Sequence, residues 1–395
     1  MRDARSFRMT PGVRARTLQE VPPSALAGTL RTMLLKANET LDLKNIAISG
    51  PLYRFRERLF VPMPRDVIFY EDRHGKLQAC YCRPQVMPQK TGFLGIGNEF
   101  RYEQMWPAKA LKLTGKPAAK APAFVSMEWM ARYLSGKLTE EEWAEPLEYW
   151  GKYVRNLNEA EPASLHFLPA LIKDERTHTA IEPGMNRAEE GKLFSTEGLV
   201  FPPGMSMVAQ VKGLGEHMKW QDSIHSLGGK RRLAQFRTVE MPSFDKCPKS
   251  ARKVLARERC YVRMVLATPA YFDRGWLPRW LDTDLTTNER AEAIVGKGIR
   301  LKLRWAILPR WMPISGWSYP HKAEKSIRRM VPAGSVYFFE ILEGDGGFLA
   351  RESWLASVSD HNRRKGAFDK EDGFGLAMWG VWEPLKITVG EEQKA

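Results

Sequence analysis

Short apolar runs cut by glycine and proline constrain this chain more than any other feature. IAISGPLYRF (46–55), RLFVPMPRDVIFY (58–70), LQACYCRP (77–84), MSMVAQVKG (205–213), CYVRMVLATPAYF (260–272), AGSVYFFEIL (333–342) and FGLAMWGVW (374–382) all read as strands. Their residues are β-branched or aromatic, and the breakers set their ends. Helical periodicity is sparse. PPSALAGTLRTMLLKA (22–37) predicts a helix capped by Ser24, with Leu26, Leu30, Met33, Leu34 and Ala37 on one apolar face and Arg31 and Lys36 off it. Short helices are expected within 274–281 and 349–362. Strands mixed with few helices, split over two halves, predict an α+β fold. We divide the chain into 1–250 and 251–395. Residues 85–122 are rich in Gly, Pro and Lys, and 124–158 are acidic, aromatic and helical in pattern. We therefore read 85–190 as a largely helical insertion, a docking surface or a lid.

The stretch EDGFGLAMWGVW (371–382) places Gly373, Gly375 and Gly380 in or beside a strand. Glycine weakens a strand. It implies either a backbone that something approaches closely or a turn leading into a packed strand.

With 61 Lys+Arg against 46 Asp+Glu, the net charge of +15 favours a polyanionic partner. No window approaches ~18 uninterrupted apolar residues, so no transmembrane helix is expected. The N-terminus has no apolar core of a signal peptide, and four cysteines in 395 residues make no disulfide framework. Both point to a cytoplasmic protein with free thiols. Cys80 and Cys82 alternate along a strand, and neither Cys247, Cys260 nor His74 stands at a zinc-site spacing from them. Phosphate-loop, dinucleotide-binding, zinc-protease and nucleophile-elbow motifs are absent. No cofactor or metal is expected. His178 and His225 are the histidines to weigh for RNA cleavage by general acid–base chemistry, although no partner base stands near either in sequence.

Three segments pair cations with glycine or aromatic residues. RDARSFRMTPGVRAR (2–16) carries Arg2 and Arg5 among its arginines, whose forked guanidinium suits phosphate. In SLGGKRRLAQFR (226–237), Gly228 and Gly229 allow a tight turn that exposes N–H groups to anionic oxygens. Lys230, Arg231 and Arg232 follow directly. KAEKSIRRMVPAGSVYFF (322–339) carries Lys325, Arg328 and Arg329, with Trp311, Trp317, Tyr319 and Tyr337 interleaved nearby. Charge for phosphates and rings for bases are the components of a single-stranded RNA groove.

SALAGTLRTMLL, SGPLYRFRERLFVPMPRDV, ERTHTAIEPGMNRAEEGKLF, LGGKRRLAQ, LATPAYFDRGWLP, ISGW, VPAGSVYFFE and GFGLAMWGVW, in that order, resemble one family. It is the RAMP-superfamily subunit that caps the 5′ end of the guide RNA in type III-B (Cmr) CRISPR complexes. The resemblance runs from the first residues to about 383 and is patchy within 85–160. It implies two ferredoxin-like (RRM-like) units and binding of the repeat-derived 5′ tag of the crRNA. It also implies contacts with the large polymerase-like subunit and a backbone subunit, and no catalytic residue. GFGLAMWG stands where the superfamily has its glycine-rich loop. One departure is the start. In the family the first strand precedes the RD-x-R-x-F-like motif, whereas here Met1 precedes Arg2 directly. We therefore expect the first strand of the first unit to be missing, through a late start or a truncation. The expected RNA contacts are Arg2, Arg5, Arg31, Gly228, Gly229, Lys230, Arg231, Arg232, Lys325, Arg328, Arg329, Gly373 and Gly375. Two alternatives stay open: a repeat-processing RAMP endoribonuclease, and a protein-only scaffold whose basic surface meets acidic partners.

Overall fold

The computed structural model describes residues 14–39, 41–86, 105–110, 113–155, 165–214, 221–228, 232–241, 244, 246–257, 261–318, 322–360 and 372–386. Pro23 opens α1 (Pro23–Ala37), with Pro22 at the N-cap and no side-chain cap bond. Ser24 thus lies inside the first turn and does not cap it. Proline's fixed φ and missing N–H suit this start. Leu26, Leu30, Met33 and Leu34 pack on Ile46 and Ile48. Arg31 is buried as well, contrary to its predicted place off the apolar face.

Beyond α1 come β1 (Ala47–Phe55), β2 (Arg58–Pro62), β3 (Val67–Glu71), β4 (Leu77–Pro84) and β5 (Phe124–Ser126). Helices α2 (Met127–Leu134) and α3 (Ala144–Arg155) follow, then β6 (Phe167–Leu168), β7 (Ile172–Ile181), β8 (Ala188–Val200) and β9 (Met205–Lys212). The main sheet runs β9–β1–β2–β5–β6, antiparallel throughout. Within 85–190, α-helix occupies 127–134 and 144–155. The stretch is therefore mixed, not largely helical: β5 and β6 extend the main sheet, and β7 and β8 form a long hairpin. Ser126 ends β5 and caps α2, accepting a hydrogen bond from the Trp129 N–H.

The second half contains α4 (Lys249–Leu255), β10 (Tyr261–Leu266), α5 (Glu292–Val295), β11 (Arg300–Ile307), β12 (Met312–Ile314), β13 (Arg328–Met330), β14 (Val336–Glu343), α6 (Gly347–Arg351) and β15 (Leu376–Val381). The expected helix in 274–281 is replaced by turns and isolated bridges, since Pro278 in mid-stretch lacks the N–H that a helix interior needs. The sheet order β11–β14–β10–β15 is antiparallel throughout, and the two-residue strand Ala356–Ser357 pairs antiparallel with the outer edge of β15. Counting its four long strands from the N-terminus, this is second–third–first–fourth, with α5 after the first and α6 after the third. That is the ferredoxin-like βαββαβ arrangement. In the first half, α1, β1 and β9 repeat its helix, second strand and third strand. The two-residue strand Arg14–Ala15 precedes α1 and pairs with β8, not with the main sheet. Among the described residues no strand pairs the far edge of β9. No helix among the described residues is long and apolar enough to cross a membrane.

A single hydrophobic cluster extends from Leu52 to Trp382 and joins the halves. At their junction the C-terminal end of α2 lies on the second sheet. Arg263 of β10 stands opposite Gly380 of β15. A Cβ at Gly380 would sit 2.5 Å from the Leu134 carbonyl oxygen, so the helix end fits only over a bare backbone. Arg263 fills the space beside it. Its guanidinium lies 3.6 Å from the Tyr133 ring centroid, donates to the Tyr133 carbonyl and stands 3.4 Å from Asp66. The Tyr133 hydroxyl donates to Asp66 at 2.6 Å. Asp66 is fully buried, which raises its pKa against the opposing pull of Arg263.

We expect Gly380→Ala to cost about 1–3 kcal/mol by overpacking the α2 contact, measured by denaturant unfolding. A second expectation concerns Glu20. Burial pushes its carboxyl from 4.5 up to about 7, with the Arg65 guanidinium pulling the other way. A raised carboxyl pKa favours the protonated form in the fold. The contribution of Glu20 to stability is complete below about pH 4.5 and is lost as pH rises through about 7. Thermal unfolding from pH 5 to 8 should show that loss, and Glu20→Gln should flatten it.

Candidate nucleic-acid interface

The sequence-predicted contacts separate into three groups. Arg2, Arg5, Gly229, Lys230 and Arg231 lie outside the described residues. Arg31, Gly373 and Gly375 are interior. Gly228, Arg232, Lys325, Arg328 and Arg329 are at or near the surface.

The interior group is a correction to the sequence reading. Arg31 is 7% exposed, forms an ion pair with Asp372 and donates to the Ile46 carbonyl at 3.1 Å. Its guanidinium ties α1 to the glycine-rich turn and is not presented to a ligand. Gly373 has φ +84°, and a Cβ there would lie 2.4 Å from the Gly50 carbonyl oxygen. Gly375 has φ +70°, and its Cβ would lie 2.3 Å from Ser359 Oγ. Both turn conformations strain any other residue. The glycines therefore answer close approach by the protein's own chain: Gly373 meets β1, Gly375 meets the segment before it, and Gly380 meets α2. The Gly373 carbonyl accepts from Thr268 at 2.6 Å, and the Gly375 N–H donates to Pro269 at 2.8 Å.

The turn also seats a surface element. Phe374 clusters with Leu18, Ile314 and Met330, and Tyr271 and Met312 pack against them. Ile314 and Met330 belong to β12 and β13, which pair antiparallel in the connection between β11 and β14. We call residues 310–330 the arm. Its inner side carries Met312, Ile314, Met330 and Arg328, and its outer side carries Trp311 and Arg329. The Arg329 guanidinium lies 4.9 Å from the Trp311 ring centroid, and that of Arg328 lies 5.5 Å from Tyr271. Arg310, Lys322 and Lys325 are exposed beside them. Tyr337, grouped with these rings in the sequence, is instead fully buried and donates to the Trp276 carbonyl at 2.6 Å. Tyr319 and the Trp317 side chain lie outside the described residues.

A second basic place is the turn after Ser223–Ser226, where Gly228 is exposed at φ +80°. Arg232 is exposed, and its guanidinium lies over Gly198 of β8 so closely that a Cβ there would be 2.3 Å from it. The β7–β8 hairpin beside it carries more carboxylates than cations, and its cations are paired. Arg176 pairs with Asp174, Arg187 with Glu182 and Lys192 with Glu189. His178 hydrogen-bonds Thr196 at 2.8 Å and stacks on Phe194, and His225 meets Phe236 edge-on. Both imidazoles are thus engaged in the packing of their hairpins. Among the described residues no group of three or more His, Cys, Asp or Glu is placed to hold a metal ion. Cys80 is buried, and its thiol is pushed up to about 11 by burial and by the Glu140 carboxylate.

Arg263 and Asp66, which join the halves, were missed from the sequence. A lone cation in the apolar run CYVRMVLA was the available signal, because a charge in a fully buried strand needs a buried partner.

If Arg31 is structural, Arg31→Ala should destabilise the protein with no RNA present. The loss should be on the order of 3–5 kcal/mol, the cost of removing one partner of a buried ion pair. Thermal and denaturant unfolding of the RNA-free chain measure it.

The model of the CRISPR-associated protein (Cas_Cmr3) family matches residues 1–382. No curated protein matches the chain. Among solved structures, similar chains occur in a cryo-EM structure of the type III-B Cmr-beta complex bound to cognate target RNA and AMPPnP and in one bound to cognate target RNA. The first is 12% identical over 86% of this chain and 82% of that chain, with a TM-score of 0.40. The second is 14% identical over 85% and 80%, with a TM-score of 0.39. A chain of the Csm3–Csm4 subcomplex of the type III-A interference complex is 10% identical over 82% and 88%, with a TM-score of 0.33.

Proposed function

The chain belongs to the CRISPR-associated Cmr3 family, and we propose that it is a non-catalytic subunit of a type III-B effector complex that binds the 5′ repeat-derived tag of the crRNA. The supporting observation is the shared cluster of Leu18, Ile314, Met330 and Phe374. It sets Leu18, which follows exposed Arg16 in the N-terminal segment, against the arm that carries Lys325, Arg328 and Arg329, while Arg14 pairs with Glu175 of β7. Two cationic segments distant in sequence thereby share one surface region. Phosphates bind there by charge, and the neighbouring rings are available for bases. The Gly228–Arg232 turn is a further phosphate contact in this reading. The large polymerase-like subunit and a backbone subunit are its protein partners, and it works in the cytoplasm. The division of the chain at residue 250 belongs to the same proposal.

A salt series with a tag-bearing guide RNA tests the reading. Log affinity should fall linearly with log salt, and Arg328→Ala/Arg329→Ala should make the slope shallower by roughly one to two. Affinity that appears only with partner subunits, with no salt-dependent binding by the chain alone, points to a protein-only scaffold. Cleavage of repeat RNA that disappears with His178→Ala or His225→Ala points to a nuclease.

A further inference from the structure

The arm carries one residue whose placement phosphate binding does not explain. Among the described residues Trp311 is the one exposed tryptophan, at 44%. It directly precedes β12, whose partner β13 sets Pro313 opposite Arg329 and Ile314 opposite Arg328. Strand alternation puts Trp311, Pro313 and Arg329 on one face and Met312, Ile314, Arg328 and Met330 on the other. The second face is held down by Leu18, Phe374 and Tyr271. The first face is outward, with Arg329 exposed and its guanidinium 4.9 Å from the indole centroid.

An outward indole beside a small, well-seated apolar cluster leaves 44% of its surface open to solvent. Its neighbours nevertheless fix its position: a two-strand pairing holds the backbone, and a guanidinium covers the ring. Exposed Arg310, its neighbour in the chain, adds positive charge beside it. A fixed ring in a cationic field suits a flat, uncharged group carried on a polyanion, and a nucleobase on a single strand is such a group. Bases within a duplex are stacked on each other and do not offer a face. An acidic peptide would use the charge but leave the indole without a matching partner.

We propose that Trp311, backed by Arg329, is a stacking platform for one unpaired base of the bound RNA. The proposal rests on the RNA-binding reading above and assigns it a contact that senses a base, not a phosphate. The ring stacks without hydrogen-bonding a base edge, so the platform tolerates any base. The Arg329 charge serves both the indole and the adjacent phosphate.

The test is fluorescence anisotropy of a short fluorescein-labelled, mixed-sequence single-stranded RNA with the full chain, across a salt series. Trp311→Ala should weaken binding roughly five- to hundredfold and leave the salt slope unchanged, because no phosphate contact is removed. Trp311→Phe, which keeps a ring, should recover most of the loss. Arg329→Ala should weaken binding and also reduce the slope by about one. Circular dichroism and thermal unfolding of each variant establish that it is folded. If Trp311→Ala binds like the wild type while Arg329→Ala shows its slope change, the platform is overturned and the RNA-binding reading stands. If the wild type itself shows no salt-dependent RNA affinity, both fall. If Trp311→Ala binds RNA normally but no longer associates with a partner subunit, the platform is overturned in favour of a protein contact.

Discussion

The structure depends on how closely the end of α2 approaches the second sheet. Leu134 rests on the backbone of Gly380, and the neighbouring ladder position is filled by Arg263. The cation reaches back to the last carbonyls of α2, where the helix dipole favours positive charge, and on to Asp66. An ion pair this deeply buried gains little net stability over apolar packing, but losing one partner is costly. Its effect here is to make the docking specific. A shifted helix would lose Tyr133 from Arg263 and strand two charges together. Gly136 and Val381, and Gly373 and Gly50, extend the same contact through further backbone approaches.

The topology explains where surface elements are free to grow. In the second half the arm occupies the connection between the second and third strands of the ferredoxin-like sheet. In the first half the long stretch from β2 to β8 occupies the corresponding place, between β1 and β9. Such connections emerge at a sheet end and can lengthen without disturbing the paired strands. Trp311 and exposed Arg329 lie on such a connection, while the sheets and helices bury their apolar faces. Such a scaffold leaves its connections free to carry exposed side chains.

Much of the scaffold was legible in the sequence. The apolar runs at 46–55, 77–84, 205–213 and 333–342 became strands because their breakers and their β-branched or aromatic residues are local signals. What failed were features set by contacts distant in the chain. Arg31 looked like a solvent-facing helix residue, because its partner Asp372 stands 341 positions away. The glycines at 373 and 375 had a correct geometric meaning, close approach, but nothing local identifies the approaching chain as β1 or Ser359. Residues 124–126 share their pattern with the helix that follows and became a strand only because β2 offered an open edge. Of the cationic segments, the arm was legible as charge beside aromatics, yet which rings face outward was not. Tyr337 and Trp311 look alike in sequence, and the sheet buries the first while the arm exposes the second.

The continuous core from Leu52 to Trp382 has a consequence for recognition. Surfaces on separately tumbling modules must be aligned each time a long polymer is captured, and that lost freedom opposes association. Here the two sheets share one core, and their relative placement is set when the chain folds. The entropy of that alignment is spent before any ligand is met. An extended ligand spanning both halves would meet a template of fixed length, and its own flexibility would be the main freedom left to lose.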